Sequence, residues 1–98
     1  MTLTLAPESV ITEGASWTAA VNRNQNLIGK SMLVLRRPCT AVVDIDPHEW
    51  AALHGEIERL VSAITRLFAP DQFNFAFLMN VDRQVHLHVI PRYATSRW

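Results

Sequence analysis

The stretch that decides the fold is DPHEWAALHGEIERLVSAITRLFAP, which runs from Asp46 to Pro70. Its first residues predict a helix start, because an Asp cap, Pro47 at the first helical position and Glu49 three residues after the cap suit the free backbone amides there. Pro70 ends the helix. Apolar residues follow at three- and four-residue spacings: Trp50, Leu53, Ile57, Leu60, Val61, Ile64, Leu67 and Phe68. Four charged residues lie off this stripe: Glu56, Glu58, Arg59 and Arg66. We therefore expect an amphipathic helix of about six turns that packs against a sheet.

Two strands are predicted after the helix. The first is FNFAFLM at 73–79, which places four large apolar side chains on one face: Phe73, Phe75, Phe77 and Met79. The second is QVHLHVI at 84–90. Only residues 80–83 join them, and so short a connection predicts an antiparallel hairpin.

Two more strands are predicted before the helix. Trp17, Ala19 and Val21 occupy alternate positions, which is the pattern of a half-buried strand. The unbroken apolar run at 32–35 predicts a strand that is covered on both faces. Residues 1–16 form a lead-in with one short strand, and residues 17–98 form a single domain. The predicted fold is α+β, with an antiparallel sheet of about five strands, one main helix on one face and the other face free for a ligand or a second subunit.

The composition argues against several classes of protein. Nine Lys and Arg balance nine Asp and Glu, and this zero net charge is unlike that of a protein that coats nucleic acid or an anionic membrane. The single Cys39 rules out an intramolecular disulfide. No apolar run approaches the ~20 residues of a membrane span, and the N-terminal residues do not resemble a signal peptide. We therefore expect a cytoplasmic protein that binds neither nucleic acid nor membrane.

The last predicted strand carries the residues with the clearest chemistry. Gln84, His86 and His88 occupy alternate positions and so share one face. A neutral imidazole is a nucleophile near neutral pH, and a protonated one can hold an anion or a leaving oxygen, so two histidines can divide this work. Two other interpretations stay open, namely a polar strand face without chemistry and a zinc site on the two histidines. No Cys or acidic residue stands at ligand spacing nearby, which makes zinc the weaker of the two.

The segment QVHLHVIPR, from Gln84 to Arg92, resembles the signature of the histidine triad (HIT) family. That signature is His, apolar, His, apolar, His, followed by two apolar residues, and a Pro-Arg pair after it is frequent in the hydrolase branches. Upstream, the order of features also resembles the family: Val21-Asn22-Arg23, Gly29, the strand at 32–35, a capped helix and a hairpin. The resemblance covers residues 17–93.

The resemblance implies roles for individual residues. His86 matches the middle histidine, the nucleophile that attacks the α-phosphorus of a nucleotide and forms a nucleotidyl-histidine intermediate. His88 matches the third histidine, which contacts the phosphate and helps the leaving group depart. Asn80 matches an asparagine that binds the same phosphate in some branches. Asn22 matches a position that binds the ribose hydroxyls.

Two features depart from the family pattern. Gln84 stands in place of the first histidine, as in some bacterial members, and its amide can still donate and accept hydrogen bonds as a candidate nucleotide or phosphate contact. The connection at 80–83 lacks the longer glycine-rich loop, ending in Gly-Gln, that cradles phosphates in the family. Arg83 or Arg92 is a candidate replacement phosphate contact.

The resemblance implies a nucleotide phosphohydrolase or nucleotidyl transferase whose substrate is a dinucleoside polyphosphate or a nucleoside phosphoramidate. It also implies a homodimer with a continuous sheet. No metal or other cofactor is obligatory, although Mg²⁺ can accompany a polyphosphate substrate. The alternative is a non-catalytic module that binds a purine nucleotide in a regulatory role.

Overall fold

The computed structural model describes residues 5–94 of the chain as one sheet and one long helix. The elements, in order, are β1 (Val10–Glu13), β2 (Trp17–Val21), β3 (Ser31–Leu35), α1 (Pro47–Phe68), β4 (Gln72–Phe77) and β5 (His86–Arg92). The five strands are antiparallel, in the spatial order β1-β2-β3-β5-β4. This architecture confirms the predicted α+β fold. Residues 1–4 of the predicted lead-in and the predicted domain end at Trp98 lie outside the described residues.

The core lies between α1 and one face of the sheet. Alternate residues of the three central strands point into it, together with the apolar stripe of the helix: Trp17, Ala19, Leu33, Leu35, Leu53, Leu60, Ile64, Val85, Leu87 and Val89. Trp17 is fully buried, and its indole Nε1 donates a hydrogen bond to the main-chain oxygen of Glu49 at 2.8 Å. The predicted bounds of the helix are confirmed, because Asp46 and Glu49 form the expected capping box and the helix ends two residues before Pro70.

The helix buries two carboxylates whose burial its sequence does not predict. Glu56, expected off the apolar stripe, is buried beside Gly14, where the missing side chain leaves room for its carboxylate. Glu56 is paired with Arg59, and Glu49 is paired with Arg37 at 2.9 Å. An ion pair reduces the cost of burying a carboxylate, so these side chains can replace apolar ones at the surface of the core. Conversely, two members of the predicted stripe are exposed: Trp50 and Leu67.

The N-terminal segment completes one side of the sheet. β1 lies within residues 1–16, the predicted lead-in, and pairs with β2 as the edge strand. Residues Leu5 and Pro7 line a cavity together with Thr18 of β2, so this segment lies over the sheet face that α1 does not cover. As a result the first four residues of β2 are all buried, and the expectation of a half-buried strand is wrong.

The connection between β4 and β5 is longer than predicted. The two strands pair antiparallel, as expected, but β4 ends at Phe77 and β5 begins at His86, so residues 78–85 connect them. Within this connection, Met79 has a φ of 41°, a left-handed backbone that is uncommon for a residue with a side chain. The extra residues form one wall of the cavity described next.

Candidate active site

The two histidines of β5 lie on the face of the sheet opposite α1. Val85, Leu87 and Val89 are buried in the core under the helix, and strand alternation places His86 and His88 on the other face. In the sheet register, His86 lies opposite Val34 of β3 and His88 lies opposite Met32. The structure therefore confirms that both histidines lie on one face of β5, as predicted.

His86 is held by a main-chain carbonyl. Its Nδ1 lies 2.6 Å from the oxygen of Gln84. Because a carbonyl oxygen only accepts hydrogen bonds, this contact assigns the ring proton to Nδ1 and leaves a lone pair on Nε2. Only 6% of the residue is exposed, yet it lines a cavity, so the ring is fixed in place and still accessible from one side.

His88 stands beside His86 and is neutral in the free protein near neutral pH. The two ring centroids are 4.8 Å apart and the ring planes make an angle of 73°. Burial lowers the pKa of His88 below its ordinary 6.5, and the charges of His86 and Lys30 lower this pKa further. His88 must therefore gain a proton, on ligand binding, before it can hold an anion in the predicted way.

A cavity of 370 Å³ opens over the two histidines. Its volume lies in the usual range for small-molecule sites. The β4–β5 connection and β3 supply the rest of its lining: Met32, Leu78, Met79, Asn80, Val81 and Asp82. The structure therefore brings Asn80 together with His86 and His88, as predicted. A larger cavity of 520 Å³ lies under the N-terminal segment, but no histidine lines it.

Asn22 lies on the same face but outside this cavity. It follows β2, and its backbone N–H donates to the oxygen of Lys30 at 3.0 Å. The pairing of Ala20 with Met32 and of Met32 with His88 places Asn22 and Lys30 one row beyond His88. The side-chain Oδ1 of Asn22 is buried and has no hydrogen-bond partner among residues 5–94. An unpaired buried acceptor is costly, so this oxygen is suited to accept a hydrogen bond from a ligand hydroxyl.

The side chain of Gln84 does not point into the histidine cavity. Its Nε2 donates to the main-chain oxygens of Leu35 and Arg37 at 2.7 and 2.8 Å, and its Oε1 accepts from the N–H of Cys39 at 3.1 Å. Both amide protons are therefore used by the chain that follows β3. The predicted direct phosphate contact is replaced by a structural role for the side chain, while the main chain of the same residue holds His86.

Arg92 also lies away from the cavity. It is the last residue of β5, four positions beyond His88, which is about 13 Å along a strand. Its Nε donates to Oδ1 of Asn74 at 2.6 Å. The structure thus does not bring Arg92 to the histidines.

Two charged residues near the histidines were not selected from the sequence. Asp82 lines the cavity because the connection is longer than predicted, and no local pattern signals this. Lys30 follows the Asn-rich turn and shares the histidine face through the alternation of β3, a signal that was available. For a metal, the described residues bring together only Asp46, His48 and Glu49 as a group of three possible ligands, and neither cavity histidine belongs to that group.

Comparisons with known proteins agree with this geometry. The family model described as the HIT domain matches residues 4–95. The chain belongs to the HIT domain family. Proteins of this family are generally hydrolases of nucleotide bonds, and some are non-catalytic, so HIT membership implies a nucleotide-binding protein of the hydrolase or transferase type.

Solved structures of HIT proteins resemble the chain over most of its length. A histidine triad protein from Bradyrhizobium japonicum, blr8122, is 27% identical with a TM-score of 0.74, and the match covers 95% of this chain and 73% of that one. A HIT family protein from Bacillus anthracis is 21% identical with a TM-score of 0.76, covering 87% and 64%. A HIT family member from Bacillus subtilis is 18% identical with a TM-score of 0.80, covering 92% and 67%. The last two show a shared fold. No curated protein matches the chain.

One negative finding concerns membranes. Within residues 5–94, α1 and the other helical segments are too short or too polar to cross a bilayer.

Proposed function

We propose that this HIT protein is a nucleotide hydrolase or nucleotidyl transferase that acts through His86. The observation that carries the proposal is the contact between Nδ1 of His86 and the main-chain oxygen of Gln84, which leaves Nε2 as a free nucleophile beside a cavity. A nucleophile on a strand is held more rigidly than one on a loop, which favours an in-line attack.

The reaction has two steps. Nε2 of His86 attacks the α-phosphorus of a bound nucleotide, and the bond from phosphorus to the leaving oxygen or nitrogen breaks. The leaving atom keeps the electron pair and takes a proton from His88, which has been protonated on binding of the phosphate and lies beside His86. The water of the second step returns a proton to His88. Water then cleaves the bond between phosphorus and Nε2. The products are a nucleoside monophosphate, the protonated leaving group and free His86, at the cost of one water molecule.

The surrounding residues suit this chemistry. Asn80 and His88 line the cavity and would hold the phosphate, and the unpaired Oδ1 of Asn22 would accept a hydrogen bond from a ribose hydroxyl. The substrates are a purine dinucleoside polyphosphate or a nucleoside phosphoramidate.

An imidazole nucleophile needs no metal, and Mg²⁺ would enter only with a polyphosphate. The zero net charge favours free nucleotides over nucleic acid or membranes and accords with a cytoplasmic location.

The proposal is tested by turnover and by trapping the intermediate. The wild-type protein should hydrolyse diadenosine tetraphosphate or an adenosine phosphoramidate. Mass spectra of protein that is denatured during turnover at alkaline pH, where a P–N bond survives, should show a nucleotidyl adduct on His86. His86→Ala and His86→Asn should lose both signals, whereas His54→Asn, an exposed histidine on α1, should keep them. Equal turnover by wild type and His86→Asn would rule out the mechanism.

The second candidate is a non-catalytic nucleotide-binding module. It is favoured by Gln84 at the place of the first family histidine and by the absence of Gly from residues 80–83. This candidate predicts AMP binding by the wild-type protein without turnover of either substrate class. Calorimetry with AMP, run beside the turnover assay, distinguishes the two.

We also propose that the protein forms a homodimer through β4. This strand is an edge of the sheet, and its Phe75 is 46% exposed on the side where Trp50 is 42% exposed. Pairing of two β4 edges would continue the sheet and cover these rings. Sedimentation should show a dimer that Phe75→Lys dissociates, while Ile11→Lys on the opposite edge strand should leave it intact. A wild-type monomer at micromolar concentration would contradict this assembly.

A further inference from the structure

A carboxylate lies in the wall of the cavity that is proposed to receive an anionic substrate. Asp82 lines this cavity with His86 and His88. Its Oδ1 accepts a hydrogen bond from the N–H of Gln84 at 3.0 Å, which holds the carboxylate at the start of β5. Asp82 has no ion-pair partner within 4.0 Å among the described residues, so its charge is free to act on a ligand.

The positive charge near the histidines lies at the other end. Lys30 is one row beyond His88 in the sheet, next to Asn22, and its charge acts on His88. From the β4–β5 connection along β5 the order is therefore Asp82, His86, His88 and then the row of Lys30. The two ends of the site carry opposite charges, with the nucleophile between them.

We propose that Asp82 selects substrates whose leaving group carries a positive charge. This inference rests on the proposed function. The nucleoside lies toward Asn22 and Lys30, the phosphorus lies over His86, and the leaving group lies toward Asp82. An amine leaving group that bears a second, distant ammonium places that ammonium beside the carboxylate. A polyphosphate leaving group places like charges together, which disfavours its binding. Of the two proposed substrate classes, dinucleoside polyphosphates and nucleoside phosphoramidates, the protein should thus prefer a nucleoside phosphoramidate of a cationic amine.

The chemical step is unchanged by this selection. Nε2 of His86 bonds to phosphorus, the P–N bond breaks, and the departing nitrogen keeps the electron pair and takes up a proton. The distant ammonium keeps its proton throughout and serves only in binding.

The test compares two adenosine phosphoramidates of nearly equal length, one of cadaverine, with a free ammonium, and one of pentylamine, without it. Wild-type kcat/KM should be about tenfold higher for the cadaverine compound, as expected for a hydrogen bond between charged groups. In Asp82→Asn the ratio of kcat/KM for the cadaverine compound to kcat/KM for the pentylamine compound should fall to about one, whatever the absolute rates. Asn keeps an acceptor for the Gln84 N–H and loses only the charge. Glu58→Gln, an exposed carboxylate on α1, should keep the wild-type ratio.

Three results would overturn the selection by Asp82. The first is a wild-type ratio near one, and the second is a ratio that Asp82→Asn leaves unchanged. The third is a turnover of diadenosine tetraphosphate that is faster with Mg²⁺ than without it and that loses this Mg²⁺ dependence in Asp82→Asn. The carboxylate would then bind the metal and not an ammonium group. If Asp82→Asn does not fold, the wild-type ratio should fall as salt is raised, and a salt-independent ratio would count against the idea.

The failure of the proposed function would look different. A wild-type protein that cleaves neither phosphoramidate nor diadenosine tetraphosphate would refute catalysis through His86. The two phosphoramidates can then be compared by calorimetry with His86→Asn. A stronger affinity for the cadaverine compound that Asp82→Asn removes would still support selection by charge, and equal affinities would refute it.

Discussion

Restoring the family's first histidine, by Gln84→His, should destabilise this protein and should not increase its turnover. The Gln84 amide satisfies three main-chain groups at the end of β3 and just after it: the oxygens of Leu35 and Arg37 and the N–H of Cys39. A neutral imidazole has one donor and one acceptor, in a different geometry. At least one carbonyl therefore loses its partner, and poor geometry weakens a second bond.

The magnitude follows from the burial of these groups. Gln84 is 1% exposed, and the bonds to Leu35 and Cys39 are buried. A buried group left without a partner costs about 1–3 kcal/mol, so the replacement should cost about 3 kcal/mol. For a domain of this size, that lowers the melting temperature by about 12–24 °C. Gln84→Met, which is similar in volume and makes none of the three bonds, should cost more.

Urea unfolding followed by tryptophan fluorescence, to which the buried Trp17 contributes, measures the loss of stability. The phosphoramidate assay measures turnover at a temperature where all variants are folded. No gain in turnover is expected, because the side chain of Gln84 points away from the histidine cavity. A Gln84→His variant as stable as the wild type, with faster turnover, would refute the reasoning. It would mean that the amide is a weakened substitute for a catalytic imidazole.

Three further outcomes are expected. A bound phosphate should raise the lowered pKa of His88, so the protein should take up a proton when it binds AMP. The affinity for AMP should therefore fall as the pH rises from about 6 to 8. Calorimetry in buffers of different ionisation enthalpy should show the proton uptake, and His88→Asn should abolish it. The hydrogen bond from Arg37, followed by that from the N–H of Asp46, lowers the pKa of Glu49 from 4.5 to about 2. The unfolded chain therefore binds more protons between these pH values, so this stabilisation is complete above pH 4.5 and is lost toward pH 2. Urea midpoints against pH should show that loss, and Arg37→Gln should reduce it. Finally, Ala69 ends α1 in a left-handed conformation with a φ of 47°. Glycine adopts this conformation without the strain of a Cβ atom, so Ala69→Gly should raise the free energy of unfolding by about 0.5–1 kcal/mol. A lower urea midpoint for Ala69→Gly would contradict this.

The parts of the fold that were predicted correctly depend on neighbours in sequence. The capping residues and Pro70 set the bounds of α1 through contacts within a few residues. Alternation along β5 fixed the face of the histidines, because adjacent positions of a strand point to opposite sides. These signals need no knowledge of the tertiary structure.

The parts that were missed depend on distant contacts. Gln84 bonds to groups 45 to 49 positions away, and Glu49 owes its burial to Arg37, 12 positions away. Met79, in the connection that lines the cavity with Asp82, has a left-handed φ that its residue type does not favour. A residue's type at such positions does not indicate the partner that decides its role.

The replacement of the first family histidine is compatible with an active nucleophile for a structural reason. The group that orients His86 is the main-chain oxygen of residue 84, and any amino acid at that position supplies it. The side chain is then free to serve the segment after β3, and the main-chain N–H is free to hold Asp82. Residue 84 thus links the proposed nucleophile, the acidic end of the cavity and a buried loop. A side chain that secures the loop should help to keep the carbonyl in place beneath the imidazole, so the departure from the motif argues for a different way of supporting His86 rather than for the loss of its reactivity.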